Sequence, residues 1–250
     1  MNTLAGKTAI VTGASRGSGR AAALALAKAG AQVIVHYRHS ANEAQAVVAE
    51  IRGIGSRSDA IAADLSSPDG PHRLARRVRG IVGDRLDILV ANAGIQTHAA
   101  AGDTSIEDFT RQFALNVRAP YFLVQQLLPI ICKGSSVVFQ LPFVAHAAAT
   151  RGASDAAIGG AVQTMTRHLA LALGERGVRV NALLIAPAMG QPANAGRTVP
   201  EGLGTAVTFL ASDAARWITG EIVQINDSAE LSREQACLAP CIPTVATTTN

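Results

Sequence analysis

The sequence predicts one α/β domain built on a doubly wound parallel sheet of seven strands. Three observations carry that prediction. Short apolar runs of β type alternate with longer helical stretches along most of the chain, and a glycine-rich turn separates the first run from the first helix. The 250 residues are 48% hydrophobic and 16% charged, enough apolar mass for one buried core without disulfide or metal support.

The elements follow in order. Thr8, Ala9, Ile10 and Val11 make the first strand, and an alanine-rich helix over 20–29 ends at Gly30, a residue suited to the left-handed turn that closes helices. A strand over 32–37, a helix over 42–52, a strand over 58–62, a helix over 71–82 and a strand over 87–91 continue the alternation. The second half predicts a long helix over 106–131, a strand over 136–140, a helix over 154–173 and a strand over 178–184. A helix over 200–211, stopped by the Ser212-Asp213 turn, and a strand over 221–225 complete the domain. Strands that alternate with helices in this way pair in parallel through right-handed crossovers, which place helices on both faces. The domain is expected over 1–229, and 230–250, with Pro240, Pro243 and a Thr-rich end, is expected to be an irregular tail.

Composition excludes several classes. No run of about 18 apolar residues suggests a membrane span, and residues 1–7 lead straight into a strand with no secretory signal, so a cytoplasmic protein is expected. Cys132, Cys237 and Cys241 are an odd number without zinc-type spacing, which favours free thiols and no metal. The net charge is +4, and its densest cluster, Arg73, Arg76, Arg77 and Arg79, lacks interleaved aromatics. It reads as the solvated face of a helix and not as a nucleic-acid surface.

The segment Thr12-Gly13-Ala14-Ser15-Arg16-Gly17-Ser18-Gly19 lies between the first strand and the first helix. There, glycines let a backbone approach a pyrophosphate held at a helix N-terminus. Asp64-Leu65 follows the third strand, and Asn92-Ala93-Gly94 follows the fourth. With these come Leu115-Asn116-Val117-Arg118-Ala119-Pro120, Phe209-Leu210-Ala211-Ser212-Asp213 and Ile218-Thr219-Gly220.

Together these motifs resemble the short-chain dehydrogenase/reductase family, over about residues 7–228, and imply its Rossmann-type fold. The resemblance implies that Gly13, Ser15, Gly17 and Gly19, with Ser18 in the same loop, line a pyrophosphate. Asp64 and Leu65 would flank the adenine, and Asn92, Ala93 and Gly94 the adenosine side. An acidic residue after the second strand would hold a ribose 2′-hydroxyl, but this chain has His36-Tyr37-Arg38-His39-Ser40, of which Tyr37, Arg38, His39 and Ser40 are the candidate cofactor contacts. With Arg16 in the loop, two guanidinium groups can pair a phosphate dianion, so NADP(H) is expected over NAD(H).

The chemical end departs from the family. Ordinary members use a Ser and a Tyr on the reacting oxygen and a Lys four residues after the Tyr. Anchoring on Thr166-Arg167-His168-Leu169-Ala170 puts Pro142 at the Ser position, Asp155 at the Tyr position and Gly159 at the Lys position. The only tyrosines are Tyr37 and Tyr121, and Tyr121 is expected to pack in the core. Ile185-Ala186 replaces a Pro-Gly pair, and the stretch from there to Pro200 is short for a substrate lid. That shortening suits a bulky ligand or leaves the pocket unformed.

Asp155 is the candidate chemical group. Placed near a nicotinamide among Leu141, Phe143, Val144 and Met189, a neutral carboxyl could donate a proton and an ionised one could stabilise an iminium. The pattern resembles fungal reductases and Diels-Alderases of indole alkaloid biosynthesis that derive from the same family and rely on an Asp. Arg118 and Arg151 are possible cationic partners, although each reads first as a surface residue, and His146 reads as a loop residue. Asn116, the survivor of the usual active-site set, could be catalytic or could simply shape its helix.

Besides an ordinary carbonyl reductase, which would need a different alignment of the catalytic helix, two functions stay open at this point. One is an NADP(H)-dependent enzyme of specialised metabolism, reducing or cyclising a bulky imine-type small molecule. The other is a catalytically silent nucleotide-binding protein in which Asp155 is a solvated helix N-terminal residue. The two long helices resemble the family's dimer-forming pair, so a homodimer or homotetramer is expected.

Overall fold

The computed structural model describes residues 3–96, 103–142, 153–185, 199 and 202–225. The seven strands are β1 (Thr8–Val11), β2 (Gln32–Tyr37), β3 (Ser58–Ala62), β4 (Leu86–Ala91), β5 (Ile131–Pro142), β6 (Arg179–Ile185) and β7 (Ile222–Ile225). They form one sheet in the order β3-β2-β1-β4-β5-β6-β7, with every pair parallel. The helices between them are α1 (Gly17–Lys28), α2 (Ala41–Gly53), α3 (Gly70–Val82), α4 (Ile106–Phe113), α5 (Ala119–Leu127), α6 (Ala153–Gly174) and α7 (Leu203–Ala211).

Parallel strands covered on both faces bury side chains of both parities. Val11, Val35, Val90, Val138 and Leu183 pack under α1, α2 and α7. Ile10, Ile34, Leu89, Phe139 and Leu184 pack under α3, α5 and α6. In α3 the buried Leu74, Ala75 and Val78 lie on one stripe, while Arg73, Arg76 and Arg77 are exposed. Arg77 donates to the Ala62 carbonyl at 3.0 Å and Arg73 pairs with Asp69, as befits a solvated face.

The predicted helix over 106–131 is two helices. A π turn over Ala114–Arg118 separates α4 from α5, and α5 stops at Leu127. Pro120 has no N–H to return to the Asn116 carbonyl, and Pro129 disfavours helix at Leu128. The chain then enters β5 at Ile131, earlier than the predicted 136. A register shift between Leu86↔Ile131 and Ile88↔Ser136, with Gly134 at φ 87°, absorbs the extra residues. The other predicted boundaries hold to within about three residues. Part of the 200–211 helix start and the 230–250 tail lie outside the described residues.

Candidate active site

The strands all end at one edge of the sheet, and the order reverses between β1 and β4, where a crevice opens in doubly wound folds. The glycine loop spans this point. Asn92, just past β4, donates from Nδ2 to the Thr12 carbonyl at 2.8 Å and the Gly13 carbonyl at 3.1 Å. Its Oδ1 accepts from Ser18 Oγ at 2.9 Å, and the Thr12 hydroxyl accepts from the Asn92 and Ala93 amides. Ser18 and Asn92 thus hold the loop in shape. A Cβ at Gly19 would lie 2.3 Å from the Gly13 carbonyl oxygen, so only glycine permits this close approach.

His36 completes the clamp from β2, where the sequence assigned a cofactor role only to its neighbours. Its Nδ1 accepts from the Gly13 amide at 3.1 Å, and its Nε2 lies 3.0 Å from the Ala63 carbonyl. That arrangement requires the neutral tautomer with the proton on Nε2. Burial pushes its pKa down to about 4, against the upward pull of the Ala63 carbonyl and the Asp64 charge.

The α1 N-terminus is open to an anion. Arg16 takes the N-cap position in an extended conformation and makes no capping bond. It and Gly17 are exposed, and Ser15 is half-buried. Free N–H groups beside glycines, with no side chain filling the cradle, fit a pyrophosphate. At the β2 end, Arg38 and His39 are exposed while Tyr37 and Ser40 are half-buried. Arg38 Nη2 lies 3.0 Å from Asp64 Oδ2. Asp64 is held below the usual carboxylate range: partial burial acts upward, but hydrogen bonds from Ser66 and the Arg38 guanidinium outweigh it. Leu65 is buried beside it. These groups would hold an adenosine with a ribose phosphate.

Beyond β4 the polar groups turn inward. Asn116 Oδ1 accepts from the Ile95 amide at 2.9 Å, and its Nδ2 donates to the Ile95 carbonyl at 2.7 Å. Gly94 sits against it, since a Cβ there would lie 2.7 Å from Asn116 Oδ1. Both side-chain polar atoms of Asn116 therefore pin the loop after β4. A cavity of about 20 Å³ beside Asn116, lined also by Ala93, Gly94, Gln140, Leu141 and Val162, has room for about one water.

Asp155, on the first turn of α6, is 4% exposed. The carboxyl is therefore buried, as the leading reading expects, and not the solvated helix end of the silent-protein alternative. Its Oδ1 accepts from Gln112 Nε2 on α4 at 2.8 Å, and its buried Oδ2 has no hydrogen-bond partner among the described residues. Arg118 is not its counter-charge: Nη2 donates to the Ser66 carbonyl at 2.5 Å and braces the turn after β3. Gly159 is buried on the same helix. Tyr121 is 43% exposed and edge-on to Phe122, so the expected core packing is also corrected. Phe143, Val144, His146, Arg151 and Met189 lie outside the described residues, as do Cys237 and Cys241. Cys132 is a free thiol. Among the described residues no cluster could hold a metal ion, and no helix is long and apolar enough to cross a membrane.

Known proteins share this architecture and sequence. The family described as short chain dehydrogenase matches residues 7–198. Hydroxynaphthalene reductase arp2 of Aspergillus fumigatus is 35% identical, over 87% of this chain and 90% of that protein. Versicolorin reductase stcU of Emericella nidulans is 31% identical, over 90% and 96%. The crystal structure of the landomycin C-6 ketoreductase LanV with bound NADP and rabelomycin superposes with a TM-score of 0.81. It shares 33% identity, over 89% of this chain and 95% of that one.

Proposed function

The chain belongs to the short chain dehydrogenase family, and from that premise we propose that it binds NADP(H) and serves as a reductase of specialised metabolism without the usual hydroxyl pair. One observation carries the reading: a glycine-loop clamp with Arg38 at the β2 end stands in a chain whose motif spacing reads Pro142, Asp155 and Gly159 at the family's Ser, Tyr and Lys positions. The relatives named above are reductases of polyketide-type aromatic compounds, which supports a small, bulky substrate.

Bound NADPH would supply a hydride. A ketone accepting it needs a proton at oxygen, and with Pro142 and an ionised Asp155 at these positions neither side chain supplies one. An iminium needs none: the C=N electron pair moves to nitrogen as the new C–H bond forms, and the cationic charge disappears. Asp155 is suited to that substrate, because its Oδ1 is anchored by Gln112 while Oδ2 is left to stabilise a cation. The same carboxylate could hold a charged substrate for cyclisation.

The test is NADPH consumption with a cyclic imine and with an aromatic ketone, for the unaltered protein and for Asp155→Asn. Turnover of the imine, lost on substitution while NADPH still binds, is the expected result. Unchanged turnover in the variant would remove Asp155 from the chemistry. A second reading, a silent nucleotide-binding protein, is favoured by the Gln112–Asp155 bond itself, which can simply join α4 to α6. Binding of NADPH with no consumption in either assay would select it.

A further inference from the structure

Among the described residues, Gln140 and Ser154 carry buried polar atoms that the clamp, the Arg38 pair and Asp155 leave unused, and Gln140 is the one whose donor and acceptor are both unpaired. It is 9% exposed, and among the described residues neither its Nε2 nor its Oε1 has a hydrogen-bond partner. An amide buried without partners is costly, and such groups are rare enough in native proteins to call for a reason.

Position supplies one. Along β5, Ser136 donates from Oγ to the Leu210 carbonyl on α7, and Val138 packs with the α1 and α7 residues. By strand alternation Gln140 leaves the sheet on that same face. Register then fixes its level. Val11 pairs with Val90 and Val90 with Val138, so two residues further on Gly13, Asn92 and Gln140 stand in line along the C-terminal edge. The first two close the glycine loop over the crevice. The third is two strands away from β1, on the side opposite Arg38 and Asp64. A dinucleotide crossing the switch point with its adenosine end over β2 and β3 lays its other half over β4 and β5.

We propose that the Gln140 amide hydrogen-bonds the nicotinamide riboside half of bound NADP(H), donating from Nε2 and accepting at Oε1. The inference rests on the NADP(H) reading above. It gives that half of the cofactor a protein anchor in a chain whose Lys position is Gly159. An amide suits the task because ribose hydroxyls and a carboxamide each both donate and accept.

Calorimetric titration of the unaltered protein and of Gln140→Leu with NADPH and with adenosine 2′,5′-bisphosphate tests the assignment. The substitution removes two unsatisfied atoms at nearly constant volume, so unfolding should not intervene, and a melting temperature no lower than that of the unaltered protein confirms this. The expected result is about tenfold weaker NADPH binding with adenosine 2′,5′-bisphosphate unaffected. NADPH affinity changed by less than about twofold would overturn the proposal, with a trapped water as the amide's partner. Equal weakening of both ligands would also overturn it. Failure of the unaltered protein to bind either ligand would instead defeat the cofactor reading on which it rests.

Discussion

His36 makes the stability of this protein depend on pH in a defined window. Its ring is 2% exposed and bonded at both nitrogens in the neutral form, and burial lowers its pKa to about 4. In the unfolded chain the same group titrates near about 6.5. Between those two values the unfolded state binds the extra proton. Stability present above about pH 6.5 is therefore lost as pH falls toward about 4, and no further loss from this group follows below that. The separation corresponds to roughly 3 kcal/mol, a large share of a domain's margin. Protonation also turns Nδ1 from acceptor to donor, which sets it against the Gly13 N–H. Urea unfolding followed by circular dichroism between about pH 7 and about pH 4 measures the effect, with His36→Gln as comparison. Glutamine does not titrate, so the variant should lose the steepening in this window. Carboxylates such as Asp64, held below its usual range, contribute at lower pH, where their stabilisation is lost as they protonate. Parallel pH profiles for the two proteins would refute the assignment of a buried neutral imidazole.

Two more outcomes follow from the same contacts. Arg38→Ala should weaken NADPH binding by about tenfold or more and change NADH binding by less than about twofold, because only the former carries the phosphate a guanidinium would pair; calorimetric titration with both nucleotides reads the difference. Asn116→Ala removes both bonds to Ile95 and should lower unfolding free energy by about 2 kcal/mol in urea denaturation; stability unchanged within error would mean that the loop after β4 does not need this clamp.

The readable part of the fold was local. β1 and β2 fall where their runs of apolar and β-branched residues put them, because a strand buried on both faces is marked by its own composition. The 106–131 segment was misread because its helical periodicity continues through Ala114–Arg118, while the break is imposed by Pro120 and by Asn116 reaching across to Ile95. At the site, the glycine loop and the residues at 38, 64 and 92 were recognisable as motifs. His36 was not, since a histidine next to Tyr37 and Arg38 looks like part of the same exposed turn. Its one signal was its parity: on β2 it shares a face with the buried Ile34.

Sequence alone determined the strand and helix order and the glycine-rich turn, and its motif spacing is what reads Pro142, Asp155 and Gly159 at the family's Ser, Tyr and Lys positions. Those are properties of short segments and of their spacing. Tertiary structure decided which polar groups meet: His36 with Gly13, 23 residues away, Gln112 with Asp155, 43 away, and Gln140 with no partner among the described residues. The physical reason is that burial forces a polar atom to find whatever the fold brings within about 3 Å, and that neighbour is set by sheet register and helix packing and not by the residues beside it in the chain.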